Sequence, residues 1–331
     1  MGSVKSYENI HKQRKLEHLQ VFFEQESGGD NGLSELMLEP VGFPELNLVE
    51  IETKKELFGR TFGLPLLINA VTGGIEEGDR FNFLMAELAE AFSIPMAVGS
   101  QSIGLKYEES AEGFRQLRKR HEGLFLIGNL SAAASMEQAR RAVEMVGADA
   151  LQLHLNIAQE LAMSEGDRDF KGLLENIDRI ACQLEVPVIV KETGFGVSEK
   201  CVLDVLDGTR AAAFDVSGKG GTNFVRIENQ RTGRTDGFLE DWGIRTYESV
   251  RNGVSARGKG KKRPFWIIAS GGIRNAEDSL KALLLGADFI GVAGSLLRAV
   301  EKGGFSAGES WLEQYRQDLK KLMLLIGKKT L

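Results

Sequence analysis

The stretch LQLHLNIAQE, from Leu151 to Glu160, begins as an alternating strand and ends in a cluster of polar residues. Alternate side chains of a strand point to opposite faces, so His154 and Asn156 share one face. Gln159 and Glu160 follow just past the C-terminal end, where loops carry function in α/β folds. These groups suit a polar, anionic, metal-associated substrate. The alternative is a buried strand whose polar side chains satisfy one another.

Eight apolar runs, of which this strand is the fourth, alternate with amphipathic segments from residue 64 onward. Buried parallel strands read as continuous apolar runs, and parallel neighbours need helical crossovers. The pattern predicts an α/β fold, a (β/α)8 TIM barrel, over a doubly wound open sheet. The predicted strands are 64–71, 95–99, 124–129, 150–155, 187–192, 212–218, 265–272 and 289–294. The predicted helices are 80–92, 110–120, 135–146, 171–184, 198–206, 243–251, 276–285 and 310–325.

Two regions exceed a minimal barrel. Residues 1–63 form a predicted N-terminal extension. It has a helical pattern around 11–26 and strand-like alternation over 46–58. We interpret the alternation as a hairpin that closes the bottom of the barrel. Residues 219–242 are a Gly- and Arg-rich insertion after the sixth strand, too long for an ordinary βα loop, which predicts a lid. We therefore divide the chain into 1–63 and a barrel domain, 64–331. The basic run 257–263 is predicted to be a solvated loop.

Composition excludes several classes of protein. The 331 residues, 42% of them hydrophobic, suffice for a barrel-sized core plus an extension. The net charge of −6 argues against a general nucleic-acid binder. The sequence has neither an apolar run long enough to span a membrane nor a secretory signal at its N-terminus. The two cysteines lack CxxC spacing, which fits a reducing cytoplasm.

Glycine-rich turns follow the last three predicted strands. Such turns expose backbone N–H groups, and the N-terminus of a following helix adds positive potential. One Gly-Gly pair alone indicates only a tight turn, but three in one quadrant of a barrel predict a phosphate site. The turns are Ser217–Asn223, whose Thr222 adds a hydroxyl, Ser270–Arg274 and Ala293–Ser295.

The other strand ends suit a flat cofactor with polar edges. Thr72, Ser100 and Asn129 offer small donors and acceptors, and Lys191 can hold negative charge on a ring. One phosphate, one ring and no dinucleotide motif indicate flavin mononucleotide, FMN. A Lys191–Glu192 pair is the alternative for this lysine, but adjacent strand residues face opposite ways.

The sequence resembles the type 2, FMN-dependent isopentenyl diphosphate isomerases. The matching segments span almost the whole chain in order: RKLEHL (14–19), NAVTGG (69–74), VGSQ (98–101), LQLHLNIAQE (151–160), VKETGFG (190–196), DVSGKGGTNF (215–224), DWGI (241–244), ASGGIR (269–274) and GVAGSLLRA (291–299). The resemblance implies a (β/α)8 barrel that assembles as homo-tetramers or homo-octamers. It also implies FMN, Mg²⁺ and a reductant such as NADPH.

The resemblance also assigns roles to individual residues. Arg14 and Lys15 would grip the substrate diphosphate as the N-terminal segment folds over the site. His154, Asn156 and Gln159 would line the substrate pocket, Trp242 would wall it, and Glu160 would hold Mg²⁺. The FMN site would contain Thr72, Gly73, Ser100, Asn129, Lys191, Ser217, Thr222, Gly272, Arg274, Ala293 and Gly294.

This chain departs from the family pattern at two places. Arg245 stands where a proline is expected after DWGI, which bears on the rigidity of that loop. Ser102 stands where many members have an arginine after VGSQ, which removes one basic contact at the rim.

The reaction implied is a 1,3-proton shift that converts isopentenyl to dimethylallyl diphosphate through, or near, a tertiary cation. Lys191 would favour anionic reduced FMN, and Trp242 would add cation–π stabilisation. Gln159 is the candidate for the second proton relay, and His154 is expected to bind diphosphate. We expect residues 1–20 and 225–241 to close over bound ligand.

Three alternatives remain, two of them enzymes and one a non-catalytic protein. An FMN-dependent 2-hydroxy-acid oxidase or dehydrogenase would need a histidine in the loop after the sixth strand, which here reads SGKGGT (217–222). An IMP-dehydrogenase-like barrel would need a cysteine in a Gly-rich loop, and neither cysteine occupies one. A non-catalytic flavin-binding barrel would not need the polar cluster from His154 to Glu160.

Overall fold

Eight parallel strands close into a barrel in chain order, with the last strand pairing back onto the first. The structure, a computed structural model, describes residues 2–24, 29–233 and 236–331. The predicted (β/α)8 barrel is therefore confirmed. The strands are β3 Leu66–Ile68, β4 Met96–Ala97, β5 Leu126–Ser131, β6 Ala150–Leu155, β7 Val188–Glu192, β8 Ala213–Asp215, β9 Trp266–Ala269 and β10 Phe289–Val292.

Every predicted apolar run overlaps one barrel strand, and most of the strands are shorter than the runs, although β5 extends two residues past the run 124–129. The difference lies mainly at the C-terminal ends, where glycine and polar residues leave the sheet to form the rim loops. In the first predicted run, for example, the strand ends at Ile68, and Asn69 through Val71 already belong to the rim.

The helices alternate with these strands and surround the barrel. They are α1 Gly2–Glu24, α2 Glu76–Ala91, α3 Ser102–Lys106, α4 Glu108–Arg120, α5 Met136–Val146, α6 Ile157–Ala162, α7 Leu173–Gln183, α8 Glu199–Gly208, α9 Phe224–Thr232, α10 Gly237–Glu240, α11 Thr246–Lys259, α12 Ala276–Leu284 and α13 Gly294–Leu325. Helix α13 is kinked at Gly303 and Gly304, so its second half contains the predicted helix 310–325. No helix in the described ranges combines the length and apolarity needed to cross a membrane.

The barrel interior changes from apolar to polar along the strands. Its lower layer is a buried apolar cluster: Leu67, Ala97, Ile127, Ala150, Ile189, Ala213, Ile268 and Phe289. Two residues further along the chain from each of these, inside a strand or within two residues past its end, the sequence places Asn69, Gly99, Asn129, Gln152, Lys191, Asp215, Ser270 and Gly291. The alternation thus sets a polar layer directly beneath the rim loops.

An antiparallel hairpin packs against the apolar end of the barrel. Its strands are β1 Lys55–Leu57 and β2 Arg60–Phe62. Leu57 and Phe62 are buried in the lower apolar cluster, and the Phe62 ring lies 5.5 Å from that of Phe125 and 5.8 Å from that of Phe289. The predicted alternation over 46–58 contains only the first of these strands, because residues 48–50 form a 3-10 turn.

The N-terminal extension and the insertion meet at the opposite end. Helix α1 packs against α9, the main element of the insertion. The predicted helix over 11–26 agrees with α1 up to Glu24, and its last two residues lie outside the described ranges. Division of the chain at residue 63 stays a prediction.

The basic run 257–263 differs from the predicted solvated loop. Residues up to Lys259 belong to α11. The Arg263 guanidinium donates to the carbonyl oxygens of Leu206, Thr209 and Ala211 around the end of α8. The run therefore contributes to helix capping as well as to the charged surface.

Candidate active site

A cavity of about 1000 Å³ opens at the C-terminal ends of the barrel strands. Its wall is formed by the rim loops together with α1, α6 and α9. All but two of the predicted site residues line it: Arg14, Lys15, Thr72, Ser100, Asn129, His154, Asn156, Gln159, Glu160, Lys191, Ser217, Thr222, Gly272, Arg274, Ala293 and Gly294.

Gly73 and Trp242 are the exceptions. Gly73 lies behind the lining, where its carbonyl accepts a hydrogen bond from Lys15 Nζ. Trp242 follows the short helix α10, is 62% exposed and does not line the cavity. Its role in walling the substrate pocket therefore stays a prediction. Phe224, the first residue of α9, is the aromatic side chain that the insertion contributes to the wall.

Lys191 projects from β7 into the floor of the cavity. Its Nζ donates to the carbonyl of Glu192 at 2.8 Å and lies 3.5 Å from Asp215 Oδ2. The Glu192 side chain turns away and accepts hydrogen bonds from the backbone N–H groups of Thr193 and Phe195. The side-chain pair between Lys191 and Glu192 does not form, as strand alternation predicts.

His154 lies next to Lys191 on the neighbouring strand β6. Burial, and then the positive charge of Lys191, lowers the pKa of His154 to about 4. The imidazole is therefore neutral near pH 7. Its Nδ1 lies 2.8 Å from Asn129 Oδ1, so Nδ1–H donates to that amide and Nε2 keeps an acceptor lone pair.

A glycine-lined cradle occupies the quadrant of β8, β9 and β10. A Cβ on Gly221 would lie 2.6 Å from Gly272 N, so the two turns can approach this closely only without side chains. Gly294 opens the long helix α13, and the buried Ser295 hydroxyl has no hydrogen-bond partner among the described residues. Free N–H groups, a helix N-terminus and an unsatisfied hydroxyl together fit a phosphate group.

Arg274 braces this cradle from outside. Its Nη2 donates to the carbonyl of Gly220 at 2.7 Å and to that of Gly29 at 2.6 Å. Asn31 Nδ2 likewise donates to Gly272 O at 2.8 Å. The segment that follows α1 in the chain is thus bound directly to the glycine turns.

Glu160 lies on α6 with both carboxylate oxygens oriented. Oε1 accepts from Asn156 Nδ2 at 2.6 Å, and Oε2 accepts from the backbone N–H of Asp167 at 2.9 Å. Each oxygen keeps a second lone pair. Within the described ranges no three His, Cys, Asp or Glu side chains converge as a metal cage. This donor set fits Mg²⁺, which binds through one or two carboxylates completed by phosphate oxygens and water.

Helix α1 brings two cations to the cavity. Lys15 Nζ donates to the carbonyls of Gly73 and Ser100, the latter at 3.1 Å. Burial lowers the pKa of Lys15 to about 8, against the opposing charge of Asp79. Arg14 Nη1 lies 3.5 Å from Glu165 Oε1. Both side chains reach the cavity, as the family resemblance implies.

A buried carboxylate, Glu228, lies behind Gln159. Its side chain is fully buried on α9, His18 Nε2 lies 2.8 Å from Oε1, and Arg231 Nε lies 2.8 Å from Oε2. Gln159 Nε2 donates to Oε1 at 3.3 Å. Burial raises the pKa of Glu228, but the hydrogen bonds and charges of His18 and Arg231 outweigh it and lower the pKa to about 2. Glu228 is therefore a carboxylate at neutral pH.

Several residues of the site are not singled out by the sequence. Asp215 carries a usable signal, since a charged residue inside a buried apolar run requires a partner. Glu228 carries none, because a glutamate in the polar segment RIENQR reads as a solvated helix position. Phe224 reaches the site only through the packing of α9, whereas His18 lies in the matched RKLEHL segment and Ser295 in a predicted phosphate turn.

The chain is similar over nearly its full length to several curated bacterial proteins. It is 42% identical over 334 residues to an isopentenyl-diphosphate delta-isomerase from Lactococcus lactis. This alignment covers 99% of the chain and 94% of the relative. It is 42% identical over 315 residues to one from Moorella thermoacetica, covering 95% and 89%. A third, from Symbiobacterium thermophilum, is 40% identical over 329 residues, covering 96% and 89%.

The FMN-dependent dehydrogenase family matches residues 244–331. Among solved structures, a lactate oxidase from Pediococcus acidilactici has a TM-score of 0.67 at 18% identity, covering 99% of this chain and 91% of that one. A mandelate oxidase variant with (S)-mandelic acid has a TM-score of 0.65 at 19% identity, covering 95% and 90%. At this identity the structural likeness concerns the fold alone.

Proposed function

The chain belongs to the isopentenyl-diphosphate delta-isomerase family, and on that premise we propose that it converts isopentenyl diphosphate to dimethylallyl diphosphate with reduced FMN and Mg²⁺. One observation carries the proposal. A single cavity combines a phosphate cradle, a lysine floor, the polar cluster from His154 to Glu160, and the cations of α1. These four parts would hold, in turn, the FMN phosphate, the FMN ring, the substrate with its Mg²⁺, and the diphosphate charge.

FMN would be held by two regions of this cavity. The glycine cradle with Thr222, Ser295 and the N-terminus of α13 would bind its phosphate. Thr72, Ser100, Asn129 and Lys191 would contact the ring edges. When bound, reduced FMN supplies an electron-rich surface and an exchangeable proton next to the alkene.

The substrate diphosphate would lie between α1 and α6. Arg14 and Lys15 provide positive charge from one side, and Glu160 would hold Mg²⁺ against the diphosphate oxygens from the other. His154 in its neutral form offers only an acceptor at Nε2, so it would contact diphosphate as a donor only after taking up a proton. A nearby anion favours that uptake.

Protonation of the alkene generates positive charge at a tertiary carbon, which the site must stabilise while excluding water. Helix α1 covers the cavity with Leu19 and Phe22, and Phe224 adds an aromatic wall from α9. We propose that Gln159 positions the isoprenoid portion. Glu228, which does not line the cavity, would orient the Gln159 amide by accepting its hydrogen bond.

Two further parts of the proposal rest on the family resemblance. NADPH would serve as the reductant that prepares FMN without being consumed in each turnover, and the chain would assemble as a homo-tetramer or homo-octamer. The spacing of the two cysteines supports action in the cytoplasm.

The test is anaerobic incubation with FMN, NADPH, Mg²⁺ and isopentenyl diphosphate in deuterated water, followed by NMR of the products. Deuterated dimethylallyl diphosphate formed without stoichiometric loss of NADPH would support the proposal. Bound, reducible FMN without any conversion would contradict it. That result would direct the search to 2-hydroxy acids, or to a non-catalytic flavin-binding role.

A further inference from the structure

We propose that Asp215 is a positioning residue that keeps the Lys191 side chain charged and fixed at the floor of the cavity. The inference deepens the proposed function and rests on it for the flavin experiment below. Its first experiment uses the protein without cofactor and is independent of the reaction. Asp215 itself does not line the cavity, so it acts only through Lys191.

The contacts of Asp215 fix its carboxylate in place. Oδ2 accepts from Asn69 Nδ2 at 2.6 Å, and Oδ1 accepts from the Ser270 hydroxyl and from Ser217 N, the latter at 3.2 Å. Asn69 is itself held by Gln152, whose Nε2 donates to Asn69 Oδ1 at 3.1 Å. Each of these three partners donates to Asp215, which suits a carboxylate and not a carboxylic acid.

The strand register places this carboxylate beside Lys191. Lys191 on β7 pairs with Asp215 on β8, both side chains point into the barrel, and Nζ lies 3.5 Å from Oδ2. The space for this arrangement depends on Gly291, because a Cβ there would lie 2.7 Å from Asn69 Nδ2. Asp215 is therefore a fixed counter-charge that cannot follow a displaced lysine.

Other charged groups near Lys191 do not replace Asp215. The Lys191 side chain is 10% exposed, and a buried ammonium is costly unless it is paired. His154 on β6 is neutral near pH 7, and the Glu192 carboxylate faces its own backbone donors. Among the described residues, Asp215 is the carboxylate in ion-pair contact with Lys191.

A neutral amine at position 191 could not attract an electron-rich group above the floor. Asp215 thus determines whether the cavity presents a cation to its ligand. Asp215 does not line the cavity, so it would affect the ligand only through Lys191.

The first experiment measures acetylation of Lys191 in the cofactor-free protein at pH 8, by mass spectrometry of its peptide. Only the unprotonated amine reacts. We expect Asp215→Asn to increase the labelling rate of Lys191 about tenfold, because the variant removes the carboxylate that lies 3.5 Å from the ammonium. An unchanged rate in Asp215→Asn would overturn the inference.

Two controls lie in the same cavity. Lys15 reports reagent access and should be labelled equally in both proteins. Ser270→Ala removes one hydrogen bond to Asp215 but leaves its charge, so the Lys191 labelling rate should stay close to that of the unmodified protein. If Asp215→Asn fails to fold, the unmodified protein still tests the idea. There Lys191 should react more slowly than Lys15, and faster labelling of Lys191 would contradict the pair.

The second experiment measures the midpoint potential of bound FMN in the unmodified protein, Asp215→Asn, Lys191→Met and the double variant. We expect both single variants to shift the potential to more negative values by similar amounts, and the double variant to add nothing further. An additive double variant, or a positive shift in Asp215→Asn, would refute the link through Lys191. Failure of the unmodified protein to bind FMN would instead refute the proposed function.

Discussion

His18 Nε2 on α1 lies 2.8 Å from Glu228 Oε1 on α9, and the same oxygen accepts the hydrogen bond from Gln159. The N-terminal helix is thereby linked to the carboxylate that we propose orients Gln159. Glu228→Gln keeps the size of the side chain but removes its charge. We expect kcat to fall about tenfold, because the charge-assisted hydrogen bond that orients Gln159 is weakened.

The matched control is Glu240→Gln. Glu240 contacts α9 through Arg226 and Asn229 but does not line the cavity. Its kcat should stay within about twofold, as for most surface changes. Both values come from steady-state assays with reduced FMN, and equal losses in the two variants would remove the special role of Glu228.

Lys15 predicts an alkaline limit to substrate capture. Its pKa is lowered to about 8 by burial, so its ammonium is lost as the pH rises through that value. If the charge binds diphosphate, kcat/KM for isopentenyl diphosphate falls above about pH 8. Lys15→Arg retains the charge at these pH values, so the fall in kcat/KM should begin at a higher pH. The same alkaline limb in both proteins would show that another group causes it.

His154 predicts acid sensitivity of the cofactor-free fold. Burial lowers its pKa to about 4 in the folded protein from an ordinary value of 6.5, so between these values the unfolded chain binds more protons. The stability that depends on neutral His154 is complete above about pH 6.5 and is lost progressively down to about pH 4. In urea unfolding, the free energy of unfolding of His154→Gln should fall less between pH 6.5 and pH 4 than that of the unmodified protein. His121→Gln is the control, because His121 lies outside the cavity. An identical pH dependence for His154→Gln and the unmodified protein would contradict the prediction.

Glu160 predicts the Mg²⁺ requirement. Glu160→Gln removes the anionic ligand, and we expect the Mg²⁺ concentration for half-maximal activity to rise at least about tenfold, by analogy with the loss of metal-site partners. Glu175→Gln is the matched control, because Glu175 lies on α7 and does not line the cavity. An unchanged Mg²⁺ titration in Glu160→Gln would exclude it as the ligand.

Phe224 and Trp242 separate two assignments of the aromatic wall. Phe224 lines the cavity, whereas Trp242 is 62% exposed. Phe224→Leu should reduce kcat/KM about tenfold through lost cation stabilisation of ~1–2 kcal/mol. Trp242→Leu should leave it nearly unchanged. A larger effect at Trp242 would indicate that the insertion rearranges when substrate binds.

The periodic part of this protein is predictable from the sequence, and its cross-chain contacts are not. Strand alternation places His154, Lys191 and the glycine turns at one end of the barrel, because local geometry fixes which way each side chain points. Glu228 and Phe224 depend on how the insertion folds back as α9, which no local pattern specifies. The expected position of Trp242 differs from the observed one for the same reason.

Arg245 shows how a departure from a family pattern can be compensated. A proline at this position would restrict the backbone of the loop, and arginine does not. Instead, the Arg245 guanidinium forms ion pairs with Asp30, at 2.8 Å, and with Glu35 and Glu248. Side-chain pairing thus joins the loop to the segment after α1, a tertiary effect that the sequence around position 245 does not reveal.

The hairpin formed by β1 and β2 has a kinetic consequence. Because Leu57 and Phe62 close one end of the barrel, ligands enter and leave through the mouth that α1 covers. In the proposed arrangement FMN lies on the lysine floor, and the substrate diphosphate lies between this floor and α1. Binding is therefore expected to follow a compulsory order, with cofactor before substrate and product released before cofactor. A single flavin is then expected to remain bound through many turnovers.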